Sequence, residues 1–165
     1  MTSKVINQLK TSPNGRAFLK KEEGLRLKLY IDIAGHQTIG WGHKLARHEI
    51  GKLKVITQAQ AETLFDSDLF LPEMFINATV HVALNQNQFD ALVSFIFNIG
   101  VGEFDRSTLL KLLQAGNYQE ASKQILRWNK YFDKKTNTYK VSEGLDARRL
   151  REHLLFDKAV EDDRN

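Results

Sequence analysis

Glu23, Asp32 and Thr38 follow one another at intervals of nine and then six residues. Two carboxyl groups and a hydroxyl are the parts needed to cleave a glycosidic bond. One carboxyl protonates the leaving oxygen, a carboxylate stabilises the oxocarbenium-like transition state and helps activate water, and a hydroxyl can hold that water. The acid must be neutral near working pH. Glu23 ends a helical stretch, where partial negative charge disfavours another anion, and partial burial would raise its carboxyl pKa further. Asp32 lies in a more polar strand and turn and is expected to stay ionised. Each residue also has an ordinary reading: Glu23 as a solvated helix end, Asp32 as a turn former, Thr38 as a strand former.

The surrounding sequence must position these groups. Ser12-Pro13 is a helix start, and the helix runs through Phe18 and Leu19 to Glu23, with Gly24 as its stop. Residues 25–43 read as a hairpin, with Leu25, Leu27, Leu29, Ile31 and Ile33 alternating with polar residues and Tyr30. This alternation puts Asp32 opposite the leucine row. A loop of Ala34, Gly35 and His36 would pair Asp32 with Thr38, and a two-residue loop would pair it with Gln37; the first is preferred. Thr38, Gly40 and Gly42 then share a face. The glycines either leave room for substrate or allow close packing. Residues 44–56 read as strand or loop.

Thr57-x-x-Gln60 resembles a capping box opening a long helix, which Pro72 is expected to kink or break. Phe89, Leu92, Val93, Ile96 and Phe97 have the spacing of a central core helix ending at Gly100. Shorter helices are expected at about 106–115, 118–128 and 143–157. One helix, a small antiparallel sheet and then many helices make an α+β protein. Its sheet lobe would span about 25–56, and its helical lobe about 57–157 plus the helix at about 13–23.

The 165 residues are near the size of one domain, 42% are apolar and 27% charged, and there is no cysteine, which excludes disulfides and thiol catalysis. The net charge is +4. From Arg106 to Arg151 there are 11 Lys and Arg against 4 Asp and Glu, a basic stretch suited either to a polyanion or simply to solvent. Arg127-Trp128 and Arg148-Arg149 could grip an anion, with Trp128 also fitting a core anchor. His36, His43 and His48 lack metal-ligand spacing, and GWGHKL lacks the third glycine of a dinucleotide loop, so neither metal nor cofactor is expected. The first 24 residues hold no apolar run suited to a signal peptide or anchor.

The stretch EGLRLKLYIDIAGHQTIGWGH resembles the signature of phage-type lysozymes, the endolysins of glycoside hydrolase family 24. FDALVSFIFNIGVGEF, STLLKLLQAGNYQEAS, RWNKY and GLDARRLREHLLF extend the likeness over roughly residues 15–156. The resemblance implies a lysozyme-like fold with a cleft between the lobes. It implies hydrolysis of the β-1,4 bond between N-acetylmuramic acid and N-acetylglucosamine in peptidoglycan, for host cell lysis. It makes Glu23 the general acid, Asp32 the second carboxylate, Thr38 the water-holding residue and His43 a structural partner. Phe97 and Ser107 fall where the family contacts substrate, and Lys44 replaces an apolar residue of some members. It also implies a monomer without cofactor, nucleic-acid partner or stable membrane insertion. Such a protein would accumulate in the host cytoplasm and depend on a holin to reach the wall. A non-catalytic binding module on the same fold, and a lytic transglycosylase or chitin-cleaving enzyme, are the competing functions.

Overall fold

Ser12 opens α1 (Pro13–Glu23): its Oγ accepts from the Gly15 N–H at 3.0 Å, and Pro13 needs no partner in the first turn. Gly24 closes the helix at φ +68°, returning its N–H to the Lys20 carbonyl at 2.9 Å. The computed structural model describes residues 4–160. The expected limits of α1 hold, and they fix Glu23 at the mouth of the sheet that follows.

That sheet has the antiparallel order β1 (Arg26–Ile31), β2 (Gln37–Gly40) and β3 (His43–Lys44). Its register differs from expectation. Tyr30 pairs with Thr38 and Ile31 with Gln37, while Asp32 faces His36, whose carbonyl accepts the Asp32 N–H at 2.9 Å. The loop does have three residues, but they are Ile33, Ala34 and Gly35. A three-residue hairpin loop needs its last residue in the left-handed region, and Gly35 has φ +89°. The glycine therefore had to close the loop, which shifts it one residue toward the N-terminus.

The apolar alternation also fails at its end. Ile31 and Ile33 are 61% and 84% exposed, because they lie at the strand tip and turn beyond the sheet's packed part. Farther back, β1 leaves β2 and bonds to residues 54–56, with Leu29 N–H to Lys54 and Ile56 N–H to Leu27, each at 2.9 Å. The rest of residues 45–56 is mainly turn and loop.

The capping box of Thr57 and Gln60 opens α2 (Gln58–Thr79) as expected. The expected break at Pro72 does not occur. Proline in a helix interior costs about 3 kcal/mol, but Leu69 and Ile76 are buried on either side of it. Glu73 is also tied to the N-terminal segment, accepting from the Thr11 N–H at 2.9 Å and hydroxyl at 2.7 Å. Ala61 and Asp68 face the sheet, while Phe75 meets Phe104 edge-on at 6.2 Å among the helices, so α2 connects the two regions.

Helix α3 (Gln86–Ile99) is buried from Phe89 to Ile96 and ends at Gly100 with φ +90°. Against it pack α1, α2, α4 (Val101–Asp105) and the last helix, α7 (Glu143–Asp157), while α5 (Thr108–Gln114) packs on α6 (Tyr118–Ile125), which in turn meets α7. Phe89, Leu92, Phe95, Ile96, Phe104, Leu109 and Phe156 form much of the core. Burial of each such side chain contributes about 1.5–3 kcal/mol. Before α7 comes an unexpected hairpin, β4 (Lys130–Asp133) and β5 (Thr138–Val141), in a stretch between the expected helices at 118–128 and 143–157 for which the sequence pattern assigns no element. The architecture is α+β, as expected.

Candidate active site

Glu23 ends α1 with its side chain 15% exposed, and Oε1 accepts from Nη1 of Arg148 at 2.7 Å. This cation is not evident from the helix end and its burial, because it comes from α7, far along the chain. Oε2 lies against Gly42: a Cβ built there would stand 2.5 Å from it. Gly42 also has φ +70°. Both geometry and space require glycine, and the close approach leaves Oε2 on the cleft side.

Asp32 is held from two directions. Oδ1 accepts from the backbone N–H groups of Ala34 at 2.9 Å and His36 at 2.8 Å, while Oδ2 meets His36 Nδ1 at 3.2 Å. Burial pushes its pKa up. The His36 backbone and ring bonds, with the nearby His36 and Lys44 charges, outweigh it and hold Asp32 below the usual carboxylate range. Asp32 thus keeps its charge, the state expected of it.

Thr38 is 2% exposed and donates Oγ1–H to the His36 carbonyl at 3.0 Å. With its proton committed, the hydroxyl offers lone pairs, so it can accept a hydrogen bond from water. His36 links the two groups, binding Asp32 through its N–H and ring and Thr38 through its carbonyl. In the sequence His36 stands out only as a loop residue and a histidine without metal-ligand spacing. Its position four residues after an aspartate at a turn was the available signal.

Glu23, Asp32, Thr38, Gly42 and Phe97 line one cleft of about 300 Å³. Four of the five predicted site residues therefore meet. The fifth, Ser107, does not line it: its Oγ donates to the Phe104 carbonyl at 2.7 Å and accepts from the Leu110 N–H at 3.1 Å, capping α5. Gly40 also departs from its expected face. It packs against α2, where an added Cβ would lie 3.6 Å from Ala61 Cβ, because its φ of +67° interrupts the strand alternation. Tyr131, Ser142 and Leu145 join the cleft wall from the unpredicted hairpin and α7, and Lys44 lies at its edge.

Arg148 and Arg149, read earlier as an anion grip, hold the protein's own anions. Arg148 Nε donates to Glu152 Oε1 at 3.0 Å, and Arg149 Nη1 donates to Glu152 Oε2. Ser94 Oγ adds a 2.7 Å bond to the fully buried Glu152. Arg149 Nε also donates to the Trp128 carbonyl at 2.9 Å, and Trp128 meets Phe95 edge-on at 5.7 Å, the anchoring role expected of it. The basic stretch is thereby reduced as a free surface. Arg106, Lys123, Lys140 and Arg151 are each in ion pairs as well.

His43 stands behind the site between Asp68, 2.8 Å from Nδ1, and Glu49, 3.0 Å from Nε2. The Asp68 bond raises its pKa, burial opposes this, and Glu49 raises it again, to about 9. A doubly paired imidazolium fastens β3 to α2 and the 45–56 segment, the structural placement expected.

Comparison with known proteins shows the family. The family model described as phage lysozyme matches residues 20–152, which include every residue of the cleft. The endolysin of Salmonella phage P22 is 42% identical over 150 residues, covering 90% of this chain and 98% of that protein. A solved structure of an endolysin from Escherichia coli O157:H7 phage FAHEc1 superposes with a TM-score of 0.83 at 33% identity, covering 94% of this chain and 98% of that one. The muramidase domain of SpmX from Asticaccaulis excentricus gives 0.81 at 34% identity, covering 92% and 100%. With the match running from α1 through the sheet and helices to Glu152, the chain belongs to the phage lysozyme family.

Proposed function

We infer that the protein is an endolysin, a lysozyme-type glycoside hydrolase that cleaves peptidoglycan for host lysis. The finer reading is hydrolysis of the β-1,4 bond between N-acetylmuramic acid and N-acetylglucosamine. The supporting observation is the convergence of Glu23, Asp32 and Thr38 on one cleft. In this reading a proton on Glu23 Oε2 passes to the glycosidic oxygen as its bond to C1 breaks. Asp32 stabilises the positive charge growing on the ring and takes a proton from the attacking water. Thr38 orients that water by accepting its other hydrogen. Both oxygens of Asp32 are already hydrogen-bonded, which favours this electrostatic and base role over covalent attack. Water then adds opposite the leaving group and inverts the anomeric centre.

Mass spectrometry of products from purified peptidoglycan tests the reaction class. Hydrolysis yields reducing muramic acid ends. Anhydro ends would mean a transglycosylase, and intact glycan a binding module. The protein is further proposed to act as a monomer and to reach the wall from the host cytoplasm after a holin opens the membrane. No helix among the described residues is long and apolar enough to cross a membrane. Expression in a Gram-negative host should leave cells intact until a pore-former or chloroform is added. Prompt lysis without either would overturn that route.

A further inference from the structure

The catalytic cleft does not end at Tyr131. A second space of about 500 Å³ opens beyond it, between the β1–β2 turn and the β4–β5 hairpin. Ile33, Ala34 and Tyr131 line both spaces, which therefore adjoin. The turn side is apolar, with Ile33 strongly exposed. The hairpin side brings Asp133, Lys134 and Lys135.

The charge balance of that wall is one-sided. Asp133 is neutralised within the hairpin: Lys140 Nζ lies 2.6 Å from its Oδ2, and the Lys135 N–H donates to its Oδ1 at 2.9 Å. Lys134 and Lys135 have no ion pair with another described residue. Asn137, at φ 54°, closes the turn that presents them. Two exposed ammonium groups beside an apolar turn suit a ligand with carboxylates on a short, partly apolar chain. Peptidoglycan supplies one next to the scissile bond, because muramic acid carries a peptide with free carboxylates.

We propose that this space seats the stem peptide of the glycan held in the cleft. Lys134 and Lys135 receive its carboxylates, and Ile33 covers its apolar side. The assignment rests on the muramidase reading and adds a determinant of which walls are cleaved well. It also gives a purpose to an isoleucine that the strand pattern would have buried.

The test uses two soluble glycans of equal length, one with stem peptides and one stripped by an amidase. The readout is the ratio of kcat/KM values on the two, for the wild type and for the Lys134→Gln/Lys135→Gln double variant. Two solvent-exposed ion pairs predict a fall of about three- to tenfold in preference for the peptide-bearing glycan. The loss should appear in KM and shrink as salt rises. Lys134→Glu/Lys135→Glu should lower the ratio further. A ratio that stays within twofold of wild type in both variants would overturn the proposal, whether activity on the two glycans is kept or falls in parallel. Failure of the wild type to cleave either glycan would instead refute the muramidase reading.

Discussion

Arg148 Nη1 lies 2.7 Å from Glu23 Oε1, although 125 positions separate the two residues. The pair joins the last helix to the end of the first. Arg148 also bonds Glu152 and the Ser94 carbonyl, so the proposed acid is braced by a network rooted in the helical core. A position loosely held at a helix end becomes a fixed one.

Removing Arg148 should therefore destabilise the protein as well as disturb Glu23. Breaking a buried ion pair from one side costs about 3–5 kcal/mol. We expect that loss for Arg148→Ala in denaturant unfolding at pH 7. A change under 1 kcal/mol would mean that the network carries little of the fold.

Gly42→Ala should strike the site directly. The new Cβ would meet Glu23 Oε2, and the positive φ adds strain of about 1–3 kcal/mol. Gly116→Ala shares the positive φ but places its Cβ in open space. Both should lose stability through the strained backbone, Gly42→Ala the more, while only Gly42→Ala should lose turnover, by at least about tenfold. Equal activity in the two folded variants would contradict the role given to Gly42.

His43 predicts how stability depends on pH. Its folded pKa of about 9 lies above its ordinary value of 6.5. The imidazolium contribution is therefore fully present below about pH 6.5 and is lost as pH rises through 9. Unfolding measured between pH 6 and 10 should show a decline of about 3 kcal/mol that His43→Gln removes. A decline unchanged in the variant would assign it to other groups.

Much of the helical frame and the site was legible in the sequence, for local reasons. Ser12 and Thr57 cap helices through bonds within three residues, and the catalytic candidates lie close together in the chain, at the end of α1 and in the hairpin that follows it. The misreadings have physical causes as specific. The position of Gly35 in its turn fixed the register, and the left-handed φ of Gly40 turned its face toward α2. Pro72 does not end α2, because the packing on either side of it carries the helix through. The β4–β5 hairpin lacks an apolar alternation because much of it is exposed. Arg148, charged yet on a buried face of α7, was visible in the sequence as half of an anion-gripping pair; that the anion is Glu23 was not, because Glu23 lies in a distant helix.

Asp32 and Thr38 should differ in effect. Asp32→Ala removes a charge from the transition state and should cripple hydrolysis, by about 100-fold or more. Thr38→Val removes the water contact and the bond to the His36 carbonyl but no charge, and should cost less. Kinetics on one defined glycan ranks them. A folded Thr38→Val enzyme with full activity would deprive Thr38 of its proposed role. Proton NMR of early products adds a second check: inversion is expected, and retention would make Asp32 a covalent nucleophile.

The most direct test is turnover by Glu23→Gln, with folding verified by its melting curve. Glutamine keeps the size of the side chain but cannot deliver the proton. General acid catalysis contributes on the order of 10²–10⁴-fold, and the rate on a defined glycan should fall by that factor. Glu22→Gln is the matched control: its carboxylate faces Arg151, at 2.5 and 2.8 Å, and does not line the cleft. It should keep nearly full activity. Wild-type turnover by a folded Glu23→Gln protein would contradict the assignment of Glu23 as the acid.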